Sequence, residues 1–276
     1  MGIFPILIGA SIAAAPLHPG AVQAAQPMAA PAVAPQHPAL WVINDSDTII
    51  YLFGTFHALD GKSDWFGQAV KTAFSASDQL MLETLVPEPG KMPAPAVARV
   101  VPPQGPAVTL APSASSLLAS TRTVMSAGHS EGMSTRFGAD SVLREAAEQS
   151  GKQVAGLESF QFQLNMFSSL PDAPKAAVPD RQSIQALAQV LRQLEAAWSR
   201  GDLDNFAPML MQMRAQSPAT YKAMFVDRNA RWAGWIANRL KTPGTVFVAV
   251  GAGHLSGPDS VQNQLAAMGV KSARIN

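Results

Sequence analysis

The chain has 276 residues, 47% hydrophobic and 14% charged, which is enough apolar material for one large domain or two small ones with a full core. A formal net charge of +1, with lysines and arginines scattered among acidic residues, excludes both a basic stripe for nucleic acid and an acidic tail. Without cysteine, disulfides, cysteine-based zinc sites and a thiolate nucleophile are excluded together, so any metal must be held by histidines and carboxylates.

Residues 1–24 read as a signal peptide: an apolar stretch followed by Val22-Gln23-Ala24, a small-residue cleavage pattern, although no Lys or Arg precedes Lys62. The expected location is periplasmic or secreted. There is no cysteine for a lipid anchor, and no later stretch reaches the roughly 18 apolar residues of a membrane helix, so the mature protein should have no membrane span. Residues 25–39, rich in Ala and Pro, read as a disordered linker before a domain over 40–276.

In that domain "LWVI" and "TIIYLF" flank "NDSD" and predict a β-hairpin whose polar turn lacks the glycine and distal glutamate of a calcium loop. The second strand runs into Gly54-Thr55-Phe56-His57. A helix capped by Ser63 follows, with Phe66, Ala69, Val70, Ala73 and Phe74 on one face, then a short buried strand, "QLMLETL", which ends near Glu83. Prolines across 86–116 predict a surface flap without long regular elements, and His129 falls in a loop. Asp140 or Ser141 caps the next helix, Gly151 ends it, and a strand runs to Glu158. Residues 181–240 read as a helical insert, with apolar positions 184, 187, 188, 191, 194 and 198, a break at Gly201-Asp202 and a new start at Ser217-Pro218. The Met-rich "PMLMQM" fits soft core packing. "TVFVAV" is a strand buried on both faces that ends in "GAGH"; a helix opened by Pro258 and a strand "VKSARI" complete the chain.

The order strand, Gly-x-x-His, helix, strand thus occurs twice. The expected fold is α/β, a mixed sheet built from two related strand-GxxH-helix-strand halves with a helical insert between them. His57 and His254 each follow a glycine at a strand's exit, where α/β sheets bind ligands and where Gly54 and Gly251 let the backbone approach a cofactor. If the halves pack as a pair, both imidazoles face one cleft, and Glu83 and Glu158 at strand ends supply oxygen ligands or a general base. Two imidazoles with carboxylate suit a divalent metal of the Mn, Fe, Co or Zn kind. A dinucleotide loop is a weaker reading of "GAGHLSG", because the helix after it leads to a strand that leaves no acidic residue for a ribose. Arg228 lies on or beside an apolar helix face, where a guanidinium needs an anionic partner. A buried salt bridge is one account of it, and a clamp on a substrate carboxylate or oxyanion is the other.

"IIYLFGTFHALD" and "GTVFVAVGAGHLSGPDSVQNQLAAMGVKSARI", with "LMLET", "GADSVLREAAEQSGKQVAGLESFQFQL" and "DRNARWAGWI" between them, resemble the TraB/GumN (TraB/PrgY/GumN) family, to which the Tiki metalloproteases are related. The resemblance covers residues 40–276, thinly across 86–135. It implies two related halves sharing one active site, with His57 and His254 as the motif histidines, Glu83 as the first acidic residue, Arg228 and Asn229 as a pair on a late helix, and Glu158 in a family "LE" segment. The Tiki branch implies metal-dependent proteolysis with Mn or Co; the GumN branch takes its name from an exopolysaccharide locus. The expected activity is metal-dependent hydrolysis of a peptide or small amide. In it His57, His254, Glu83 and Glu158 serve the metal, Glu83 acts as a base, and Arg228 and Asn229 steady the oxyanion. The alternative is a non-catalytic protein that binds metal, haem or peptide at the cell envelope. Nothing in the sequence sets the oligomeric state.

Overall fold

The structure, a computed structural model, describes residues 37–85, 112–171 and 180–276, with backbone alone for 112–120. The signal-peptide reading and most of the Pro-rich flap lie outside the described residues.

Strands β1 (Leu40–Asn44) and β2 (Thr48–Thr55) form the expected antiparallel hairpin, Leu40 opposite Phe53. Its turn closes because the Asp45 carboxylate accepts from the backbone N–H groups of Asp47 at 3.2 Å and Thr48 at 2.9 Å, the self-capping that suits aspartate to turns. Helix α1 (Gln68–Ala76) leads to β3 (Gln79–Thr84); α2 (Pro112–Ser130) and α3 (Ala139–Gln149) precede β4 (Gln153–Glu158) and α4 (Phe160–Ser169). The helical insert holds α5 (Arg181–Ser199), α6 (Ala207–Gln216), the single turn α7 (Pro218–Tyr221), a π-helical turn over Lys222–Val226 and α8 (Asp227–Arg239). Strand β5 (Gly244–Gly251), a 3-10 turn at Ala252–Leu255, α9 (Val261–Ala267) and β6 (Ala273–Arg274) complete the chain.

The sheet order is β4-β3-β5-β2-β1-β6. β5 pairs in parallel with β2 over all eight residues and with β3 on its other side, while β3 and β4 are also parallel. The first unit therefore steps from β2 over β5 to β3, and the second steps from β5 over β2 and β1 to β6. Val246, Phe247, Val248, Ala249 and Val250 are completely buried, as a strand covered on both faces requires. Full burial of each large side chain contributes roughly 1.5–3 kcal/mol. Consequently β2, β3, β4 and β5 all end on the same edge of the sheet.

Several local expectations shift. The helix after His57 begins at Gln68, not at a Ser63 cap, because Trp65 and Phe66 are drawn out of it: Trp65 stacks on Phe53 with ring centroids 5.7 Å apart and on Phe66 at 5.2 Å. The last residues of the proposed flap, 112–116, already belong to α2, and His129 lies in the last turn of that helix, bonded to the Met125 carbonyl. Gly138, not Asp140 or Ser141, is the N-cap of α3; the Asp140 side chain is engaged elsewhere. The linker assigned to 25–39 ends early, since Pro38 and Ala39 are buried. The last helix opens at Val261 on a Ser260 cap, three residues after Pro258, and the final strand shrinks to two residues held antiparallel to β1. Among the methionines of α6, Met213 is buried in a satellite core with Met166, Phe167, Leu210, Tyr221, Met224 and Phe225, as soft packing predicts.

Candidate active site at the carboxyl ends of the parallel strands

The loop after β2 carries His57, and α3 is fastened to it. Leu59 and Ser134 exchange backbone hydrogen bonds at 3.2 and 2.8 Å, and the Ala139 N–H donates to the Phe56 carbonyl at 2.9 Å. These bonds set the first turn of α3 over the end of β2. The Asp140 carboxylate therefore meets His57 Nδ1 at 2.6 Å, and its other oxygen accepts from the Thr55 hydroxyl at 2.8 Å. Burial works against the charged form of His57, but Asp140, by charge and hydrogen bond, and then Glu83 outweigh it and raise the imidazole to about 9. The sequence reading took Asp140 for a helix cap. Only the tertiary contact between α3 and the histidine loop shows its role.

Glu83, at the end of β3, accepts from the Gly251 N–H at 2.6 Å and from Arg228 Nη2 at 2.8 Å. Glu158, at the end of β4, accepts from Arg228 Nε at 2.9 Å and from Arg231 Nη2 at 3.0 Å. Arg228, with 3% of its side chain exposed, thus bridges two carboxylates while lying over the Trp232 ring, 4.5 Å from its centroid. The salt-bridge account of this arginine is what the structure contains. Burial pushes the Glu83 carboxyl up, yet Arg228, then His254 and His57, and the Gly251 N–H hold it well below the usual carboxylate range.

His254 sits in the 3-10 turn after β5, with Nδ1 2.6 Å from Asn229 Oδ1, Nε2 3.3 Å from Arg228 Nη1 and 3.7 Å from Glu83 Oε1. Burial first, and then the positive neighbours Arg228 and His57 against the pull of Glu83, bring it down to about 3. The Asn229 amide is occupied at both ends, its Nδ2 donating to the Asp259 carbonyl at 2.7 Å.

Gly251 lies at the centre of the group. A Cβ added there would stand 2.9 Å from His57 Nε2 and 3.0 Å from Glu83 Oε1, so glycine lets these side chains gather. Gly54 has a packing role as well. Its carbonyl accepts from Trp198 Nε1 at 2.7 Å, and a Cβ would come within 3.3 Å of the Ala252 backbone. All eight residues singled out from sequence as site residues (Gly54, His57, Glu83, Glu158, Arg228, Asn229, Gly251 and His254) are therefore brought to one edge of the sheet. Asp140, Thr55, Arg231 and Asp259 join them.

As donors, the two Nε2 atoms and Glu83 Oε1 are of the kind that Mn, Co or Zn accepts. Among the described residues no three His, Asp or Glu side chains already stand in a ligating arrangement, and Arg228 Nη1 faces the His254 nitrogen that a cation would use. The donor set fits a divalent ion by chemistry, with Arg228 as the group that must yield. Glu158 is sealed beneath two arginines and lies behind this set.

The two histidines give the metal-free protein opposing pH limbs. His57 has its folded value raised from 6.5 to about 9, so its stabilisation is fully present below 6.5 and is lost as pH rises through about 9. His254 has its folded value lowered from 6.5 to about 3, so below 6.5 the unfolded chain binds a proton that the folded one refuses, and stability is lost as pH falls. Glu83 adds to the acid loss, because the stability of an ionised carboxylate is present above its unfolded value of 4.5 and disappears below it. Thermal unfolding across about pH 4 to 9 should show a maximum near neutrality, with His57→Gln flattening the alkaline limb and His254→Gln the acid one. Unchanged limbs in both variants would contradict these assignments.

No helix among the described residues is long and apolar enough to cross a membrane. No solved structure matches the chain. An Uncharacterized protein YbaP from Escherichia coli (strain K12) is 31% identical over 135 residues, 49% of this chain and 50% of that protein, and the YbaP of Shigella flexneri matches to the same extent. The chain thus spans about half the length of the curated relatives it matches. The profile of the TraB/PrgY/gumN family matches residues 39–99 and 98–274, nearly the whole of the described fold and both histidine motifs. With sheet, motifs and profile coinciding over the same residues, this chain belongs to the TraB/PrgY/gumN family.

Proposed function

We propose that the protein is a metal-dependent hydrolase of peptide or small amide bonds that acts outside the cytoplasm, with Mn or Co as the preferred ion and Zn as the alternative. The observation that carries this reading is the gathering of His57, His254 and Glu83 around Gly251 at the ends of three adjacent strands. Those three side chains would hold the ion, which when bound supplies a polarised carbonyl and a water acidic enough to attack at neutral pH. Asp140 and Asn229 orient the two rings from their Nδ1 sides, leaving each Nε2 toward the cleft. Arg228 Nη1, held loosely at 3.3 Å, turns toward the oxyanion that forms at the substrate carbonyl. Should the same turn release Nη2 from Glu83, now 2.8 Å away, that carboxylate would regain basicity and could take the proton of an attacking water. Residues 1–24 support export.

The test uses chelator-treated protein reloaded with Mn or Co and offered a broad peptide library, wild type beside the His57→Ala, His254→Ala double variant. Cleavage by the wild type, reduced at least about 100-fold in the variant along with metal affinity, is expected. Absence of cleavage together with unchanged metal affinity in the variant overturns the proposal. Because Arg228 already pairs with Glu83 and Glu158 and faces His254 Nε2, a second reading has the same residues binding their ligand without turnover; stoichiometric metal without cleavage selects it.

A further inference from the structure

Asn229 has no choice of polarity. Its Nδ2 donates to the Asp259 carbonyl at 2.7 Å and, more distantly, to the His254 carbonyl at 3.4 Å, and a carbonyl oxygen can only accept. Oδ1 is therefore the atom that faces His254 Nδ1, 2.6 Å away. An amide oxygen also only accepts, so Nδ1 must carry a proton. On the other side of the ring, the nearest polar atom to Nε2 is Arg228 Nη1 at 3.3 Å, a donor without a lone pair, while the Glu83 oxygen stands at 3.7 Å, beyond hydrogen-bond reach, so an N–H there would be opposed. Both ends of the imidazole demand one neutral tautomer, with the proton on Nδ1 and the lone pair on Nε2.

We infer that Asn229 is a positioning residue that fixes the His254 proton on Nδ1, and that Asp259 in turn fixes Asn229. The Asp259 carbonyl orients the amide, while its carboxylate accepts from the Tyr221 hydroxyl at 2.9 Å and from Arg214 at 3.4 Å. Tyr221 stacks on Phe225 with centroids 5.6 Å apart, and Phe225 lies 4.8 Å from the His254 ring, which also meets Trp232 at 4.5 Å. One residue thus ties the amide that sets the proton to the aromatic side chains that hold the ring. The π-helical turn Lys222–Val226, which lies between Tyr221 and Arg228, carries Phe225 against His254.

The first histidine is held differently. His57 faces a carboxylate, which accommodates a proton on that nitrogen whether or not the other is protonated. The two motif histidines are chemically unequal: the second offers a lone pair at Nε2 before any ligand arrives, and the first can carry two protons. This holds for the metal-free chain and does not depend on the hydrolase reading.

The experiment is a long-range 1H–15N correlation of histidine rings in the full-length, uniformly labelled, chelator-treated chain at neutral pH, with His254 assigned by loss of its signals in His254→Gln. The wild type is expected to show His254 neutral, Nδ1 pyrrole-like and Nε2 pyridine-like. In Asn229→Ala the pattern is expected to move toward the Nε2–H form, and Asp259→Ala and Tyr221→Phe, which keep Asn229 and the Asp259 carbonyl but remove the carboxylate–hydroxyl bond that anchors this backbone, are expected to give a mixture of the two. A purely structural Asn229 would lower the melting temperature and leave the tautomer unchanged. An Nε2–H or doubly protonated His254 in the wild type overturns the assignment of the proton, and an unaltered Nδ1–H pattern in folded Asp259→Ala overturns the role of the Asp259 carboxylate as the anchor of the carbonyl that holds Asn229. Should Asn229→Ala fail to fold, the wild-type and Asp259→Ala spectra still decide both points.

Discussion

Replacing Arg228 with alanine is expected to cost about 3–5 kcal/mol of unfolding free energy at neutral pH, the loss typical of breaking a buried ion pair by removing one partner. The reason is what stays behind. Glu83 and Glu158, with 15% and 3% of their side chains exposed, would face each other's charge without the guanidinium between them. Arg231 reaches only Glu158. Without Arg228, the largest influence holding its carboxyl down, Glu83 should take up a proton more readily, so the deficit should shrink as pH falls toward about 5. Arg228→Lys keeps the charge but loses the planar fork that serves Glu158 through Nε and Glu83 through Nη2, and should recover less than half the loss. Denaturant unfolding at two pH values checks all of this. A loss below about 1 kcal/mol for the alanine variant would mean that the carboxylates find water or another cation once Arg228 is gone.

The second large effect is expected at Gly138. Its backbone, at φ −57 and ψ 146, is open to any residue, so strain is not the issue. Space is: a Cβ would stand 2.0 Å from the His57 carbonyl oxygen and 2.6 Å from its carbon. Backbone cannot give way as a flexible side chain can, and Gly138→Ala should destabilise by about 3 kcal/mol, the upper range of overpacking. It should also part Asp140 from His57, because Gly138 caps the helix whose first turn carries that carboxylate. The expected signature is a lowered melting temperature together with altered His57 ring resonances. Gly234→Ala is the matched control. That glycine lies inside α8 with nothing within 4 Å of an added Cβ, so the substitution should raise stability by about 0.5–1 kcal/mol. Equal melting temperatures for the two variants would refute the steric account.

The residues that the sequence brought forward and those it left unseen differ in a physical way. The Gly-x-x-His pairs, the acidic ends of "LMLET" and "AGLE", and the all-apolar "TVFVAV" are local patterns, each set by the period of a strand and the turn that ends it. Asp140 was visible only as a residue near a helix start, because its partner is chosen by where α3 comes to rest against the loop after β2. The same limit applied to Arg228: periodicity placed it on an apolar face and demanded an anion, but could not say that two glutamates from two other strands would answer. Glu158 was read as an oxygen ligand, and its pairing with Arg228 and Arg231 was equally out of reach of a local pattern. The late start of α1 also depends on a contact with a distant side chain, Phe53.

The place of β5 between β2 and β3 also has a consequence in time. Residues 48–55 must wait for residues 244–251 before their parallel pairing can form, and β3 waits for the same strand on its other side. A nascent chain that has not yet reached Gly244 can close the β1–β2 hairpin and pair β3 with β4, but it holds these as two separate ribbons with facing open edges. Pairing over such a separation is slow, and unpaired apolar edges invite association with other chains. The strand that delivers His254 is the one that joins the ribbons, so the site and the continuous sheet come into being in one late step, and any chain cut short of it should aggregate before it can bind anything.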